Sequence, residues 1–176
     1  MIFIKYWLPY AYAKDIFEVD MAFYKKHNVK YLLLDLDNTL DSYRLYQPSQ
    51  RVIDFVNTLK ENDITPIIIS NNTGKRVTGY ANTLGIEFRH SIGKPFARGI
   101  LKLIKELGVS KDEVMAVGDQ MITDITAANR AGIKSILTDK IVKEDQWTTH
   151  FNRFFERGYR SRVMKKGKIK DWRELL

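Results

Sequence analysis

The chain has 176 residues, which suits one domain with short extensions and is too short for two domains that each have their own core. With 44% hydrophobic and 28% charged residues, the composition is that of a globular protein and excludes a disordered or fibrous chain. The sequence has no cysteine, which excludes disulfides, thiolate metal sites and a cysteine nucleophile, so any metal must be held by oxygen or imidazole ligands.

The formal net charge of +8 lies mostly at the C-terminal end of the chain. Residues 151–176 hold 9 Lys and Arg against 3 Asp and Glu, whereas residues 1–150 hold 20 against 18. No apolar run approaches the roughly 20 residues that span a bilayer, and the first residues lack the features of a secretory signal. We therefore expect a cytoplasmic protein with a near-neutral body and a basic tail.

Short apolar runs alternate with amphipathic segments between residues 20 and 140, a pattern typical of βαβ units around a parallel sheet. The predicted strands, in chain order, are 31–35, 66–70, a weaker 87–90, 114–118 and 134–138. Of the four predicted helices, the first begins after Ser49 as its cap, and the others end at Gly85, Gly108 and Gly132. The result is a doubly wound α/β domain, whose ligands bind at the carboxyl ends of the strands.

Four of the five predicted strands end in, or lead into, polar residues. These are Asp35 and Asp37 after the first strand, Ser70 and Asn71 after the second, Lys94 before the third long helix, and Asp119 and Asp124 after strand 114–118. The hydroxyl followed by backbone N–H groups ahead of a helix is a natural anion cradle. The sequence therefore predicts one site with four carboxylates, one hydroxyl and one ammonium.

Four carboxylates in one cleft repel each other unless a cation lies among them. Oxygen ligands without cysteine favour Mg²⁺, which takes one or two carboxylates, keeps several waters and accepts phosphate oxygens. A carboxylate can form an aspartyl-phosphate, and a metal together with Lys94 can neutralise the oxygens of a transferring phosphoryl group. The pattern thus indicates Mg²⁺-dependent phosphoryl transfer.

Four motifs, taken in order, resemble those of the haloacid dehalogenase superfamily over about residues 31–138. They are Asp35-x-Asp37-x-Thr39, Ser70, Lys94-Pro95 and Gly118-Asp119-x-x-x-x-Asp124. Each motif alone is a weak signal, but their combination in this order is specific. The resemblance implies a Rossmann-like core with a parallel five-stranded sheet, in an enzyme that hydrolyses phosphomonoesters through an aspartyl-phosphate.

The resemblance also implies roles for the residues that would carry out catalysis. Asp35 is the expected nucleophile, and Asp37 is the expected general acid/base. Ser70, together with the Asn71 amide, is expected to hold the transferring phosphoryl group, and Lys94 is expected to neutralise its charge. These side chains are the predicted catalytic set.

The metal ligands that the resemblance implies are Asp35, the backbone carbonyl of Asp37, Asp119 and Asp124. Of the last two, Asp119 is the one expected to bind the metal directly. Thr39 and Asn72 are expected to orient their neighbours beside the phosphate. A structural alternative stays open for some of these residues, because Asp124 is also a good helix cap, as are Ser70 and Asn71. The three histidines show no ligand spacing and are not predicted to be catalytic.

Cap domains in this superfamily are inserted after the first motif or between the second and third. Here 35 residues separate Asp35 from Ser70 and 24 separate Ser70 from Lys94, so we expect no cap domain. Capless members resemble the subfamily III phosphatases, which act on large substrates.

The motifs, with Asn152-Arg153-x-x-Glu156 after the core, look most like the subfamily IIIA branch called YqeG, related to mitochondrial phosphatidylglycerophosphate phosphatases. Asp41-Ser42-Tyr43 departs from the more apolar stretch expected there, which leaves the flap undefined.

The chain is expected to divide into an N-terminal aromatic segment with a short helix that packs on the core (1–30), the phosphatase core (31–140) and a basic C-terminal extension (141–176). The extension has aromatic and apolar residues at helical spacing with arginines between them: Phe151, Phe154, Phe155, Tyr159 and Val163. Three interpretations stay open for this helix. It docks on the core, lies on an anionic membrane surface, or contacts nucleic-acid phosphates.

We therefore expect a phosphatase whose substrate is large or lipidic, such as phosphatidylglycerophosphate. A phosphatase for nucleic-acid ends is the alternative enzyme, because the tail is basic. A non-catalytic protein with a vestigial site, bound to RNA, ribosome or membrane by its tail, is the alternative from another class. The intact motif residues favour the enzyme.

Overall fold

The computed structural model describes residues 4–72, 74–141 and 150–176, and for residue 4 and residues 150–157 it describes the backbone alone. The described part contains six strands: β1 (Ala11–Ala13), β2 (Tyr31–Leu34), β3 (Thr65–Ile69), β4 (Glu87–Arg89), β5 (Val114–Gly118) and β6 (Lys134–Thr138). They form one parallel sheet in the order β1-β6-β5-β2-β3-β4. The predicted parallel α/β sheet is confirmed.

The expected strand count of five is wrong by one, because β1 joins the sheet at its edge. Ala11 lies beside Ile136 of β6, and Ala13 lies beside Thr138. Both alanines are fully buried. A three-residue Ala-Tyr-Ala segment has neither the length nor the apolar run that identifies a buried strand in a sequence, so its position became evident only from the pairing.

The described residues form six α-helices: α1 (Met21–Lys26), α2 (Gln50–Glu61), α3 (Lys75–Leu84), α4 (Arg98–Leu107), α5 (Thr126–Ala131) and α6 (His150–Lys165). The helices α3, α4 and α5 end at the predicted glycines Gly85, Gly108 and Gly132. Ser49 lies at the predicted cap position of α2, but its side chain makes no capping hydrogen bond.

The strands separate two apolar layers. Leu32 and Leu34 of β2 pack into the layer that holds α1, α2 and α3, whereas Leu33 packs into the layer that holds α4 and α5. This alternation follows from strand geometry, in which successive side chains point to opposite faces. The sheet is therefore covered on both faces, as expected for a doubly wound fold.

The strand order reverses beside β2. The chain moves from β2 to β3 and β4 on one side, then crosses to β5 and β6 on the other. A crevice opens at such a switch point, outside the carboxyl ends of the two central strands. Asp35 directly follows β2 and Asp119 directly follows β5, so the fold places both carboxylates at this crevice.

The two ends of the chain pack against the sheet domain. The Trp7 ring meets the Tyr159 ring of α6 edge to face, with centroids 5.2 Å apart. Val163 is buried against Met121 and Leu137. The described side chains of α6 thus include a face that docks on the core. The predicted Phe151, Phe154 and Phe155 positions and the Asn152-Arg153-x-x-Glu156 stretch lie outside the described side chains.

Among the helices that the structure describes, none combines the length and the apolar character needed to cross a bilayer.

Candidate active site

Three buried carboxylates meet at the crevice between β2 and β5. Asp35 follows β2, Asp119 follows β5, and Asp124 lies in the π-helical turn Met121–Ile125 that leads into α5. One oxygen from each lies within 4.8 Å of the others, although each residue is at most 7% exposed. The structure therefore brings together three of the four predicted carboxylates.

Lys94 supplies a positive charge to this cluster. Its Nζ lies 2.5 Å from Asp35 Oδ1 and 2.7 Å from Asp124 Oδ1, and it also donates to the Ile69 carbonyl at 3.3 Å. Burial acts to lower the pKa of the ammonium, but the charges of Asp124 and Asp35 outweigh it and hold that pKa above its ordinary value. Lys94 is therefore positively charged at neutral pH.

The pKa of the Asp35 carboxyl is raised well above its ordinary value. Desolvation is the largest cause, the charges of Asp124 and Asp119 add to it, and the ammonium of Lys94 opposes it. Lys94 pairs with two of the three acids, Asp35 and Asp124, and the charges of Asp124 and Asp119 still act to raise the pKa of Asp35. An oxygen-only donor set of three carboxylates fits a divalent cation, and Asp35, Asp119 and Asp124 are the residues that would hold it.

Asn71, which was predicted to help hold the phosphoryl group, holds the loop that carries Lys94 with its side chain. Its Nδ2 donates to the Lys94 carbonyl, and its Oδ1 accepts from the Lys94 backbone N–H, both at 2.8 Å. A two-point contact of this kind fixes both the position and the orientation of the loop backbone. The side chain of Asn71 therefore positions the lysine that pairs with Asp35.

Ser70 and Thr39 lie close to the same cluster. The buried Ser70 hydroxyl accepts from the Asn72 N–H at 3.0 Å, and the Thr39 hydroxyl donates to Asp35 Oδ2 at 3.4 Å. The residue at the cap of α3 is Gly74, so the alternative that Ser70 or Asn71 caps this helix is wrong. Their side chains contact Asn72 and the Lys94 backbone instead.

Asp124 is not the cap of α5 either. It lies inside the π-helical turn, and Ile125 precedes the helix. One carboxylate oxygen accepts from the Gln120 N–H at 3.1 Å, and the other meets Lys94. Gly118 makes this approach possible, because a Cβ at position 118 would lie 2.4 Å from the Asp124 Cβ.

Asp37 lies outside the three-carboxylate cluster, and each of its oxygens has a different partner. Asn72 Nδ2 donates to Oδ2 at 2.6 Å, and Arg76 Nη1 pairs with Oδ1. Arg76 was not predicted from the sequence. The sequence did hold one signal that could have identified it: Arg76 is a basic side chain in the first turn of α3, where the helix dipole disfavours positive charge.

The segment after Asp37, residues 38–49, forms a flap between β2 and α2. Buried Asp41 anchors it: its Oδ2 accepts from the Ser49 N–H at 2.9 Å and from the Tyr80 hydroxyl at 2.6 Å. The polar residue that departs from the expected apolar stretch thus joins the two ends of the flap and ties the flap to α3. In the segments where caps are inserted, the described residues form this flap, α2, β3, α3 and β4.

Two of the three histidines have described side chains, and both lie elsewhere. His27 contacts Tyr10, with its Nδ1 3.4 Å from the hydroxyl oxygen. His90 contacts its neighbour Ser91. Neither belongs to the cluster of carboxylates.

Comparison with known proteins agrees with this geometry. A family model described as a haloacid dehalogenase-like hydrolase matches residues 5–132. A Bacillus subtilis (strain 168) protein named "Probable phosphatase YqeG" is 34% identical over 170 residues, which cover 97% of this chain and 98% of that protein. The Arabidopsis thaliana protein "Phosphatidylglycerophosphate phosphatase 1, chloroplastic/mitochondrial" is 27% identical over 79% of this chain and 42% of its own length.

Solved structures share the fold at low sequence identity. The deoxy-D-mannose-octulosonate 8-phosphate phosphatase (YrbI) of Haemophilus influenzae matches with a TM-score of 0.50 and 17% identity, over 66% of this chain and 81% of its own. An uncharacterized protein from Listeria monocytogenes serotype 4b matches with a TM-score of 0.54 and 16% identity, over 67% and 85%. The family model over residues 5–132 and the relative that is 34% identical confirm the resemblance found in the motifs: the chain belongs to the haloacid dehalogenase-like hydrolases, as a phosphatase-type member of that family.

Proposed function

We propose that this protein is a Mg²⁺-dependent phosphomonoester hydrolase that acts through a phosphorylated Asp35. The observation that carries the proposal is the placement of the buried Asp35 carboxylate against Lys94, within reach of Asp119 and Asp124. A carboxylate in this position is an activated nucleophile only if positive charge compensates its burial and its neighbours. Lys94 supplies part of that charge.

The remaining charge would come from a metal. Asp35, Asp119 and Asp124, with the backbone carbonyl of Asp37, are the residues that would hold Mg²⁺. When bound, the ion neutralises phosphoryl oxygens and helps to orient the phosphate.

In the first step, a carboxylate oxygen of Asp35 forms a bond to phosphorus while the bond between phosphorus and the leaving oxygen breaks. Asp37 donates its proton to that leaving oxygen. In the second step, Asp37 accepts a proton from a water whose oxygen attacks phosphorus, while the bond between phosphorus and the Asp35 oxygen breaks. Inorganic phosphate then leaves, and Asp35 returns as a carboxylate. Both steps use Asp37 as the proton carrier, once as acid and once as base.

The other predicted residues bind and orient the phosphoryl group. Ser70, with the Asn71 amide, would donate to its oxygens, and Lys94 would neutralise the charge that develops on them. Thr39 and Asn72 would hold Asp35 and Asp37 through the contacts described above. The contacts of Thr39, Asn72 and Asn71 with Asp35, Asp37 and Lys94 support this proposal, because phosphoryl transfer depends on groups that are positioned in advance.

The substrate we propose is a large or lipid phosphate, such as phosphatidylglycerophosphate. Two observations support this class. The segments in which cap domains are inserted hold a flap and two helices of the core, so a bulky substrate has access to the crevice. In addition, a relative over 79% of this chain is a phosphatidylglycerophosphate phosphatase.

The substrate is tested by comparing kcat/KM for phosphatidylglycerophosphate in mixed micelles with that for 3′- and 5′-phosphorylated oligonucleotides. Each assay is run with Mg²⁺, with EDTA, and with Asp35→Asn to subtract contaminating activity. We expect lipid turnover at least tenfold above oligonucleotide turnover, lost in EDTA and in Asp35→Asn. A preference for the oligonucleotides would instead identify a phosphatase for nucleic-acid ends, and turnover that survives in Asp35→Asn would refute the mechanism.

A further inference from the structure

We propose that Arg76 is a positioning residue that holds the acid/base carboxyl of Asp37 and the flap in one fixed arrangement. The proposal rests on the proposed function, because it assigns Arg76 a role only if Asp37 transfers protons. Arg76 lies in the first turn of α3, and its side chain is only 15% exposed.

The guanidinium of Arg76 uses three donors on three different acceptors. Nη1 pairs with Asp37 Oδ1, Nη2 donates to the Ser42 carbonyl at 3.1 Å, and Nε donates to the Leu45 carbonyl at 2.8 Å. All three acceptors belong to the segment between β2 and α2. The rigid fork of a guanidinium can satisfy such a set, whereas an ammonium on a flexible stem cannot hold three acceptors in one plane.

The same stretch of chain also fixes the second oxygen of Asp37, since Asn72 Nδ2 donates to Oδ2 at 2.6 Å. Two anchors from residues 72–76 therefore set the rotation of the carboxyl group. Helix stability does not explain the arginine, because a positive charge in the first turn opposes the helix dipole. The acceptors that explain its position are Asp37 and the flap.

This arrangement has a chemical consequence for the first step. When Asp37 gives its proton to the leaving oxygen, a carboxylate remains, and the adjacent guanidinium of Arg76 stabilises it by a charge-assisted hydrogen bond. The contact matters most when the leaving group is a weak acid that cannot depart without a proton. It matters little when the leaving group is stable as an anion.

Phenyl phosphate and p-nitrophenyl phosphate have similar shape and differ in the acidity of the phenol they release. We therefore compare kcat/KM for both substrates, because this ratio reports the steps up to cleavage of the ester bond. In Arg76→Gln we expect a loss of about ten- to a hundredfold on phenyl phosphate and of less than about threefold on p-nitrophenyl phosphate. Arg76→Lys keeps the charge beside Asp37 and is expected to recover part of the loss on phenyl phosphate.

The matched control is Lys75→Gln, which removes an exposed positive charge from the same helical turn and is expected to leave both ratios unchanged. A double-mutant cycle completes the test: in Asp37→Asn, adding Arg76→Gln is expected to cause no further loss on phenyl phosphate. Equal losses on both substrates, or additive losses in the cycle, would overturn the role of Arg76. Asp35→Asn tests the proposed function separately in the same assay: it is expected to lose all activity, and retained activity there would refute both proposals.

Discussion

Lys94 Nζ lies 2.5 Å from Oδ1 of Asp35, although the two residues are 59 positions apart in the chain. The contact exists because the carboxyl end of β2 and the loop held by Asn71 meet at the same edge of the sheet. It places a charged amine, buried from water, against the expected nucleophile. Such a pair is stable only while both partners are present.

Lys94→Met tests this dependence in the metal-free protein. Removing the ammonium leaves buried carboxylates without their partner, and we expect the free energy of unfolding to fall by about 3–5 kcal/mol. Urea denaturation in EDTA measures this change. Added Mg²⁺ is expected to recover part of the stability, because a bound cation favours the folded state. Lys102→Met, at an exposed position of α4, is the control and is expected to change stability by less than about 0.5 kcal/mol. A similar, small effect in both variants would contradict the account.

Gly118→Ala tests the close approach of β5 to Asp124. The added Cβ would lie 2.4 Å from the Asp124 Cβ, so the carboxylate must move away from its position beside Lys94. We expect kcat/KM to fall at least about tenfold and the Mg²⁺ concentration for half-maximal activity to rise. Gly79→Ala is the matched control, because nothing lies within 4 Å of a Cβ there. It is expected to stabilise α3 by about 0.5–1 kcal/mol with unchanged kinetics, and unchanged kinetics in Gly118→Ala would refute the role of this contact.

His27 gives the stability a pH dependence of predictable sign. Burial lowers the pKa of its imidazole, and the charge of Lys134 lowers it further. The folded protein therefore binds this proton less readily than the unfolded chain does. The contribution to stability is fully present above the ordinary histidine pKa of about 6.5 and is lost as the pH falls through that value toward the lowered one.

Thermal melting from pH 7.5 to 5 measures this effect, and His27→Gln is expected to flatten the decline at the acid end. His90→Gln, at an exposed position, is the matched histidine substitution with which the slope of His27→Gln is compared. An identical slope in wild type and His27→Gln would show that other groups set the acid sensitivity.

Contact of α6 with an anionic membrane stays a prediction, and the structure shows how to test it. Truncation before α6 would remove Val163 and Trp172, which are buried in the core. Substitution of the exposed basic residues Arg162, Lys165 and Lys166 by glutamine removes charge and keeps the packed face. The attraction between a basic side chain and an anionic membrane surface contributes about 1 kcal/mol to the binding free energy. Because three such side chains are removed, we expect binding to phosphatidylglycerol-containing vesicles to weaken roughly a hundredfold. Vesicles of phosphatidylcholine alone are the control, and equal binding to anionic vesicles by both forms would exclude this contact.

The positions of Asp35, Asp119 and Lys94 were predictable because parallel strands bring their carboxyl ends to one edge, and the polar residues that follow apolar runs meet there. The sequence shows that arrangement through local patterns alone. It also indicated where α3, α4 and α5 end, since each helix stops at a glycine.

Other features depend on contacts between distant parts of the chain. The short β1 is recognisable only through its pairing with β6. The position of Asp41 in a stretch expected to be apolar is explained only by its contacts with Ser49 and Tyr80. The role of Arg76 depends on backbone carbonyls more than 30 residues away in the chain. Because every residue has such a carbonyl, the sequence does not indicate which of them accept hydrogen bonds from Arg76.

The central claim is that the phosphoryl group passes through Asp35. The most direct measurement is to mix the enzyme with a radiolabelled aryl phosphate, quench it with acid and locate the label after proteolysis. Asp37→Asn is included so that hydrolysis of the intermediate slows and the intermediate accumulates. The account predicts label on the peptide that contains Asp35 in both forms, at higher level in Asp37→Asn, and none in Asp35→Asn. Label on another residue, or multiple turnovers by Asp35→Asn without label, would contradict it.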